Sequence, residues 1–554
     1  MKLFAIAVAV LLCAASAALA QPVVTANGMV NAASAIEAGL PNGDIAQGSI
    51  FSIYGKNMGP AAPGVSVTKF PLPTTQGLGG TTVNVTDSGG VSHPVILLFV
   101  YAGQINALLP SATALGQASL TVTYNGQTSA PQTFNVVKSS VGLFAMNSAG
   151  TGPGIVQLYH GSNPPTLNSI SNSAFPGDVA VLWGTGLGPV TGDETLAPTQ
   201  VNLGAVAQVW VGGQQVSAAN IAYEGRSTSS GEDQINFTIP NITGCYVPVM
   251  VKIGNIVSNT VSMSIMPNGG TCSDSFSNYA GLNVQANGLR YGSVVLSRST
   301  SEIPTFGSST TDTATGLFES YSGTQMVDAR GLTLGVSVYG ACTVFTFSGA
   351  SATTADVITP TYLDAGALSL VGPSGGSIPI PATSKGIYYD ELGNSSTIPG
   401  VPSTGLYLSP GNYTITGAGG ANVGAFTATL TLPAPLTWTN IDAIASVTRA
   451  NGVTVNWTGG AGYVMINGYS GITTPQSAGA FFTCLAQASA NTFTVPSNVL
   501  LALPVSATTA GIPVGALMVE NVPVSVKLTP TPPSGLDLGN FSALFSSVKL
   551  VGYN

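Results

Sequence analysis

The chain carries five cysteines, and thiols are the most reactive side chains it has. Cys13 lies in an apolar N-terminal stretch, while Cys245, Cys272, Cys342 and Cys484 are spread through the rest. In an exported chain an even set of cysteines closes disulfides instead of supplying nucleophiles or metal ligands. Four cysteines permit three pairings, so sequence alone leaves the connectivity open. Spacing favours Cys245–Cys272 and Cys342–Cys484. The first would tie a strand to the tail of its own domain, and closing a loop of that size is worth roughly 3–4 kcal/mol in chain entropy.

Other patterns that could do chemistry read as structure once their requirements are checked. Gly372-Pro373-Ser374-Gly375-Gly376 matches G-x-S-x-G, but a nucleophile elbow needs a strand-turn-helix context and a later histidine. The only histidines, His93 and His160, both precede it, and two histidines cannot form an H-E-x-x-H zinc site. The glycines of Gly184–Gly188 could suggest a phosphate cradle, yet Pro189 follows where a helix would have to begin. Acidic pairs stand at Asp193-Glu194, Glu232-Asp233 and Asp390-Glu391; neighbours on a strand point to opposite faces, so they read as loop charges and not as the facing carboxylates of a glycosidase. Gln104/Asn106 and Gln234/Asn236 read as amides bonding nearby loop backbone. Trp183, Trp210, Trp438 and Trp457 are the tryptophans available for stacking on sugars, and core burial is the default for those on alternating strands. No catalytic, cofactor-binding or metal site is expected from these patterns.

The elements that carry these residues are strands. Ser49–Tyr54, Ala118–Tyr124 and Val453–Trp457 alternate apolar and polar residues and end at Gly or Asn-Gly, the hairpin signature. No sustained 3.6-residue pattern competes with it. Short strands without intervening helices predict an all-β, multidomain chain of sandwiches.

Two segments repeat. Gln47–Pro60 (QGSIFSIYGKNMGP) matches Pro176–Pro189 (PGDVAVLWGTGLGP) without a gap, Gln104-Ile105-Asn106 with Pro110 is echoed by Gln234-Ile235-Asn236 with Pro240, and Gly116–Gly126 parallels Gly244–Gly254. Three blocks in the same order define two copies of one domain. The strand followed by G-x-x-x-G-P, and the hairpin Val209–Val216, resemble immunoglobulin-like IPT/TIG domains. Together with Asn31-Ala32-Ala33-Ser34, the Q-I-N block and Gly184–Pro189, they resemble an uncharacterised exported domain family common in soil acidobacteria, over residues 28 to 275. That resemblance implies tandem Ig-like sandwiches and an exported context, and brings no catalytic residues. The expected organisation is a signal peptide over 1–20, Ig-like repeats over 21–139 and 140–275, a β-rich domain over 276–432 and a β-rich C-terminal domain over 433–554, with Pro433-Ala434-Pro435 as the boundary.

Composition sets the setting. Lys2, the apolar run Leu3–Cys13 and Ala18-Leu19-Ala20 form the three parts of a secretory signal, with cleavage after Ala20. Leu12 is bulkier than lipoprotein processing at Cys13 normally accepts. Charged residues are 6% of the chain, against roughly 25% in ordinary soluble domains. The net charge is −8, which offers no electrostatic footprint for nucleic acid. Pro504 and Pro513 break the long uncharged stretch Asn498–Val519, so no transmembrane helix is expected after cleavage. These readings predict a secreted or cell-surface, non-enzymatic protein engaged in adhesion, matrix contact or binding of an extracellular protein or polysaccharide. The alternatives are a secreted carbohydrate-active enzyme with its catalytic unit in 279–554, and an outer-membrane barrel in the same region.

Overall fold

The computed structural model describes residues 20–161, 163–272, 288–303, 307–322, 338–348, 360–522, 524–532 and 535–554. Apart from Ala20, the expected signal peptide lies outside the described residues. Among those described, helix is limited to the turn Ser497–Leu500 and the 3-10 segments Ala218–Asn220 and Ala488–Ala490. The rest of the regular structure is strand, as the period-two patterning predicts.

The two repeats are sandwiches with matching registers. In the first, Ile50–Lys56 pairs with Gln104–Leu108, and a second sheet built around Gly116–Tyr124 closes the core. In the second, Val179–Thr185 pairs with Asp233–Thr238, and Gly244–Ile253 belongs to the other sheet. Ile53 lies opposite Ile105 and Tyr54 opposite Gln104; equivalently, Leu182 lies opposite Ile235 and Trp183 opposite Gln234. The blocks that align in sequence therefore occupy the same strand pairs. Alternate residues point inward, giving one core around Phe51, Ile53 and Leu120 and another around Leu182, Phe237 and Val249.

The N-A-A-S motif joins the copies. Asn31 uses its side-chain oxygen to accept the amides of Ala33 and Ser34, and its side-chain NH2 donates to the Ser140 carbonyl at 2.8 Å. The Ile50 amide of the first repeat donates to the Thr185 hydroxyl of the second at 2.9 Å.

Beyond residue 288 the structure corrects the expected division at 432/433. One eleven-stranded sheet runs in the order Cys342–Ser348, Ala478–Gln487, Tyr463–Ile472, Gly515–Val522, Leu538–Leu550, Leu289–Ile303, Gly307–Tyr321, Ile387–Ser396, Ala382–Ser384, with two short strands attached beside it. Leu538–Leu550 pairs in parallel with Leu289–Ile303, so strands from both sides of the expected boundary share one ladder. Split at Pro433, either half would leave unpaired backbone groups along a long strand, which is why the boundary fails as a domain edge.

Two apolar cores sit side by side on one face of this sheet. Val519 and Phe545 belong to different cores, yet Val519 lies opposite Ser547 and Asn521 opposite Phe545, which puts both side chains on the same face. A four-stranded sheet containing Leu368–Val371 and Phe426–Leu432 covers one half. Val453–Thr458, Thr492–Val495 and the turn Ser497–Leu500 cover the other. The end strands of the long sheet, Cys342–Ser348 and Ala382–Ser384, do not pair with each other. The described strands thus form a half-covered sheet.

Both repeats dock on this unit. Trp210, Met250 and Val257 of the second repeat pack into the core around Val455 and Trp457. Ile36 and Leu40 of the first pack against Ile472 and Ala478, and the Gln476 amide donates to Glu37 beside them. Among the described residues, no helix is long and apolar enough to cross a membrane.

Candidate functional site

The strands Cys342–Ser348, Ala478–Gln487, Tyr463–Ile472 and Gly515–Val522 lie side by side at one end of the long sheet. Cys342, Cys484, Ile466 and Val519 form one cross-strand row, and Val344, Phe482, Gly468 and Leu517 the next; both rows face the core. By alternation, Phe345, Phe347, Phe481, Thr483, Asn467, Tyr469, Met518 and Glu520 face away from it. Phe345 stacks on Phe481 with ring centroids 4.9 Å apart, and Phe347 on Tyr469 at 5.6 Å. Phe347 and Phe481 are 39% and 38% exposed, unusual for phenylalanines.

Local sequence explains how the rings fit. A Cβ on Gly479 would stand 2.5 Å from the Phe347 ring, so only glycine lets that ring lie across the neighbouring strand. Beside the aromatics, the Asn467 side-chain NH2 donates to the Glu520 carboxylate at 2.5 Å. Burial raises the Glu520 carboxyl above the ordinary range, partly offset by that hydrogen bond. Glu520 is the one charged residue in these strands. Directly behind the patch, Cys342 and Cys484 sit opposite each other and are disulfide-bonded, fastening Cys342–Ser348 to Ala478–Gln487.

The other cysteine pair, Cys245–Cys272, is also bonded and ties Gly244–Ile253 to the tail of the second repeat beside Ile170 and Met266. Gly372–Gly376 forms the loop of the hairpin between Leu368–Val371 and Ser377–Ile380, with no helix behind Ser374. Trp438 and Trp457 are buried, and Trp183 is half-buried opposite Gln234. Trp210 departs from its expected place in its own domain's core, because it serves as the contact with the C-terminal unit. The paired amides also differ from expectation: Gln104 donates to Asn106 at 2.8 Å and Gln234 to Asn236 at 3.2 Å, so they bond each other along the strand and not loop backbone.

Four of the acidic candidates, Asp193, Glu194, Asp233 and Glu391, are drawn into separate structural roles. Asp233 forms a buried ion pair with Arg226 at 2.7 Å, and Arg226 also donates to the Gly188 carbonyl. The Leu187 amide donates to Asp233, so the glycine turn wraps an ion pair and not a phosphate. Gly186 has φ +96°, and a Cβ there would lie 2.1 Å from the Ser140 carbonyl oxygen. Glu194 accepts the amide and hydroxyl of Ser111 across the junction between repeats, and its burial raises its pKa. Asp193 accepts from Thr195. Asp390 and Glu391 point to opposite faces, and Glu391 accepts from Asn394. His93 bonds Asp87 at 2.7 Å, and His160 bonds Asp178 while stacking on Phe175. No group of three or more His, Cys, Asp or Glu is close enough to hold a metal ion among the described residues.

Sequence reasoning followed the tryptophans and missed the phenylalanine patch. Its signal was present in Phe345-Thr346-Phe347 on an alternating strand whose next residues inward are Val344 and Cys342.

No known family model matches the chain, and no curated protein matches it. Among solved structures, it is similar to domains 5-6 of the S-layer protein SbsC at 14% identity and a TM-score of 0.16, covering 44% of this chain and 99% of that one. A tetra-tandem repeat in the extending region of a large adhesion protein matches at 13% identity and a TM-score of 0.12, covering 92% and 97%. SGBP-B from a complex xyloglucan utilization locus in Bacteroides uniformis matches at 9% identity and a TM-score of 0.15, covering 67% and 86%. At these scores the fold rests on the strand pairing described above.

Proposed function

We propose that the chain is an exported, non-enzymatic binding protein of the cell surface or extracellular matrix, and that the patch around Phe347 and Phe481 is where it meets an extracellular partner. One observation carries this reading. Two half-exposed phenylalanines sit on a sheet held from behind by a disulfide, where a chain of this kind would ordinarily place polar residues. A preformed patch limits the ordering cost of binding. The two disulfides suit an oxidising, extracytoplasmic setting. Of the carboxylates that could serve hydrolysis, Asp233, Glu194 and Glu391 are engaged in separate structural bonds, which favours binding over catalysis.

The test is protease shaving of intact producing cells, followed by mass spectrometry of the released peptides and of the mature N-terminus. Peptides from both repeats and from the long sheet, with a start at Gln21, are the expected result. Protein confined to the cytoplasmic fraction with Met1 retained would refute the reading.

A further inference from the structure

We infer that the patch formed by Phe345, Phe347, Phe481 and Tyr469 with Asn467 and Glu520 is a binding site for a neutral polysaccharide; this rests on the binding role proposed above and names the class of partner.

Three observations narrow the ligand. The aromatic surface is exposed and continuous across strands, because the two stacked pairs occupy adjoining positions on Cys342–Ser348, Ala478–Gln487 and Tyr463–Ile472. Such a surface accepts the C–H face of a pyranose ring, as aromatic residues do for ligands that are apolar on one side and polar on the rim. The next rows bring hydrogen-bonding groups beside the rings: Thr483 and Asn467 share one row with Met518, and Glu520 lies in the following one with Met465. A carboxylate accepts from sugar hydroxyls, and an amide both donates and accepts. A peptide partner docking through apolar side chains would leave these groups facing carbon.

Charge decides between kinds of polysaccharide. The four strands hold no Lys, Arg or His, and their single charge is Glu520. A polyanion would meet a carboxylate and no cation, on a chain of net charge −8. A polycation would be drawn to Glu520, but that carboxylate is half-buried and already bonded to Asn467, so it suits an uncharged hydroxyl better than a solvated ammonium.

The test is affinity electrophoresis of the full mature chain, disulfides intact, in gels containing a neutral β-glucan, a neutral mannan, a polyuronate or chitosan. Retardation in at least one neutral gel is expected, unchanged by 0.5 M NaCl as roughly expected for an uncharged contact. Phe347→Ala/Phe481→Ala should weaken it at least tenfold while the denaturation midpoint stays within the range of exposed substitutions. Asn467→Ala serves as a second variant that leaves the rings in place, and it should weaken binding too. Absence of retardation in every neutral gel, retardation only in a charged gel, or equal retardation of the parent and both variants would overturn the inference. If the phenylalanine variant also stops binding to cells although no neutral gel retards the parent, the polysaccharide assignment fails and the binding role stands. If the variant binds cells as the parent does, the binding role assigned to this patch fails as well.

Discussion

At the scale of single residues, the polar groups that looked chemically interesting in sequence mostly hold the backbone together. Arg226 and Asp233 show this best, since both are almost inaccessible and each would be costly without the other. Arg226→Met should destabilise the chain by about 3–5 kcal/mol in urea denaturation, because it strands a buried carboxylate, and Arg226→Met/Asp233→Leu should recover most of the loss. Gly186→Ala should cost about 2–4 kcal/mol, combining a left-handed backbone with a collision at the Ser140 carbonyl. Asp87 gives a pH signature. Hydrogen bonding from His93, then from the Ala114, Val91 and Gly89 amides, lowers its carboxyl to about 2. A folded-state value below the unfolded one means that this carboxylate stabilises the first repeat above about pH 4 and ceases to do so as the pH falls toward 2. The urea midpoints of the parent and Asp87→Asn should therefore differ at pH 6 and converge near pH 2; a constant difference would contradict the assignment.

At the scale of elements, strand identity was legible and strand partnership was not. Val453–Trp457 alternates cleanly in sequence and is the strand Val453–Thr458 in the structure; Ala118–Tyr124 falls within Gly116–Tyr124. Alternation states which residues share a face, but it carries no information on which strand lies beside which. Only the repeat, which aligned Gln104-Ile105-Asn106 with Gln234-Ile235-Asn236, made any partnership readable, because equivalent blocks must pair alike. The Cys342–Cys484 spacing pointed to a link between distant segments, and the structure makes it the clamp between Cys342–Ser348 and Ala478–Gln487. Its chain-entropy contribution for a separation of 142 residues is about 4–5 kcal/mol. Cys342→Ser/Cys484→Ser should lower stability by up to that amount. Amide hydrogen exchange in Cys342–Ser348 should accelerate more than in the central strand Leu538–Leu550, since the disulfide fastens the first strand and not the second.

At the scale of the whole molecule, the repeats and the long sheet form a packed assembly. The sequence suggested a boundary at Pro433-Ala434-Pro435 because a proline pair commonly marks a linker. The parallel pairing of Leu538–Leu550 with Leu289–Ile303 overrides that local signal. Trp210 was ambiguous for a similar reason: its strand patterning shows that it alternates, while its burial comes from another unit. Trp210→Ala should loosen the second repeat from the C-terminal unit at a cost of about 3–5 kcal/mol, read as a separate, earlier transition in calorimetry. The aromatic patch lies on the C-terminal unit, so the binding role predicts that binding depends on the patch and not on the docking itself. The most direct measurement is saturation binding of the purified mature chain to producing cells stripped of their surface protein, with the parent compared against Phe347→Ala/Phe481→Ala. Saturable binding by the parent and at least tenfold weaker binding by an equally stable variant is the predicted result; equal binding by the two would contradict it.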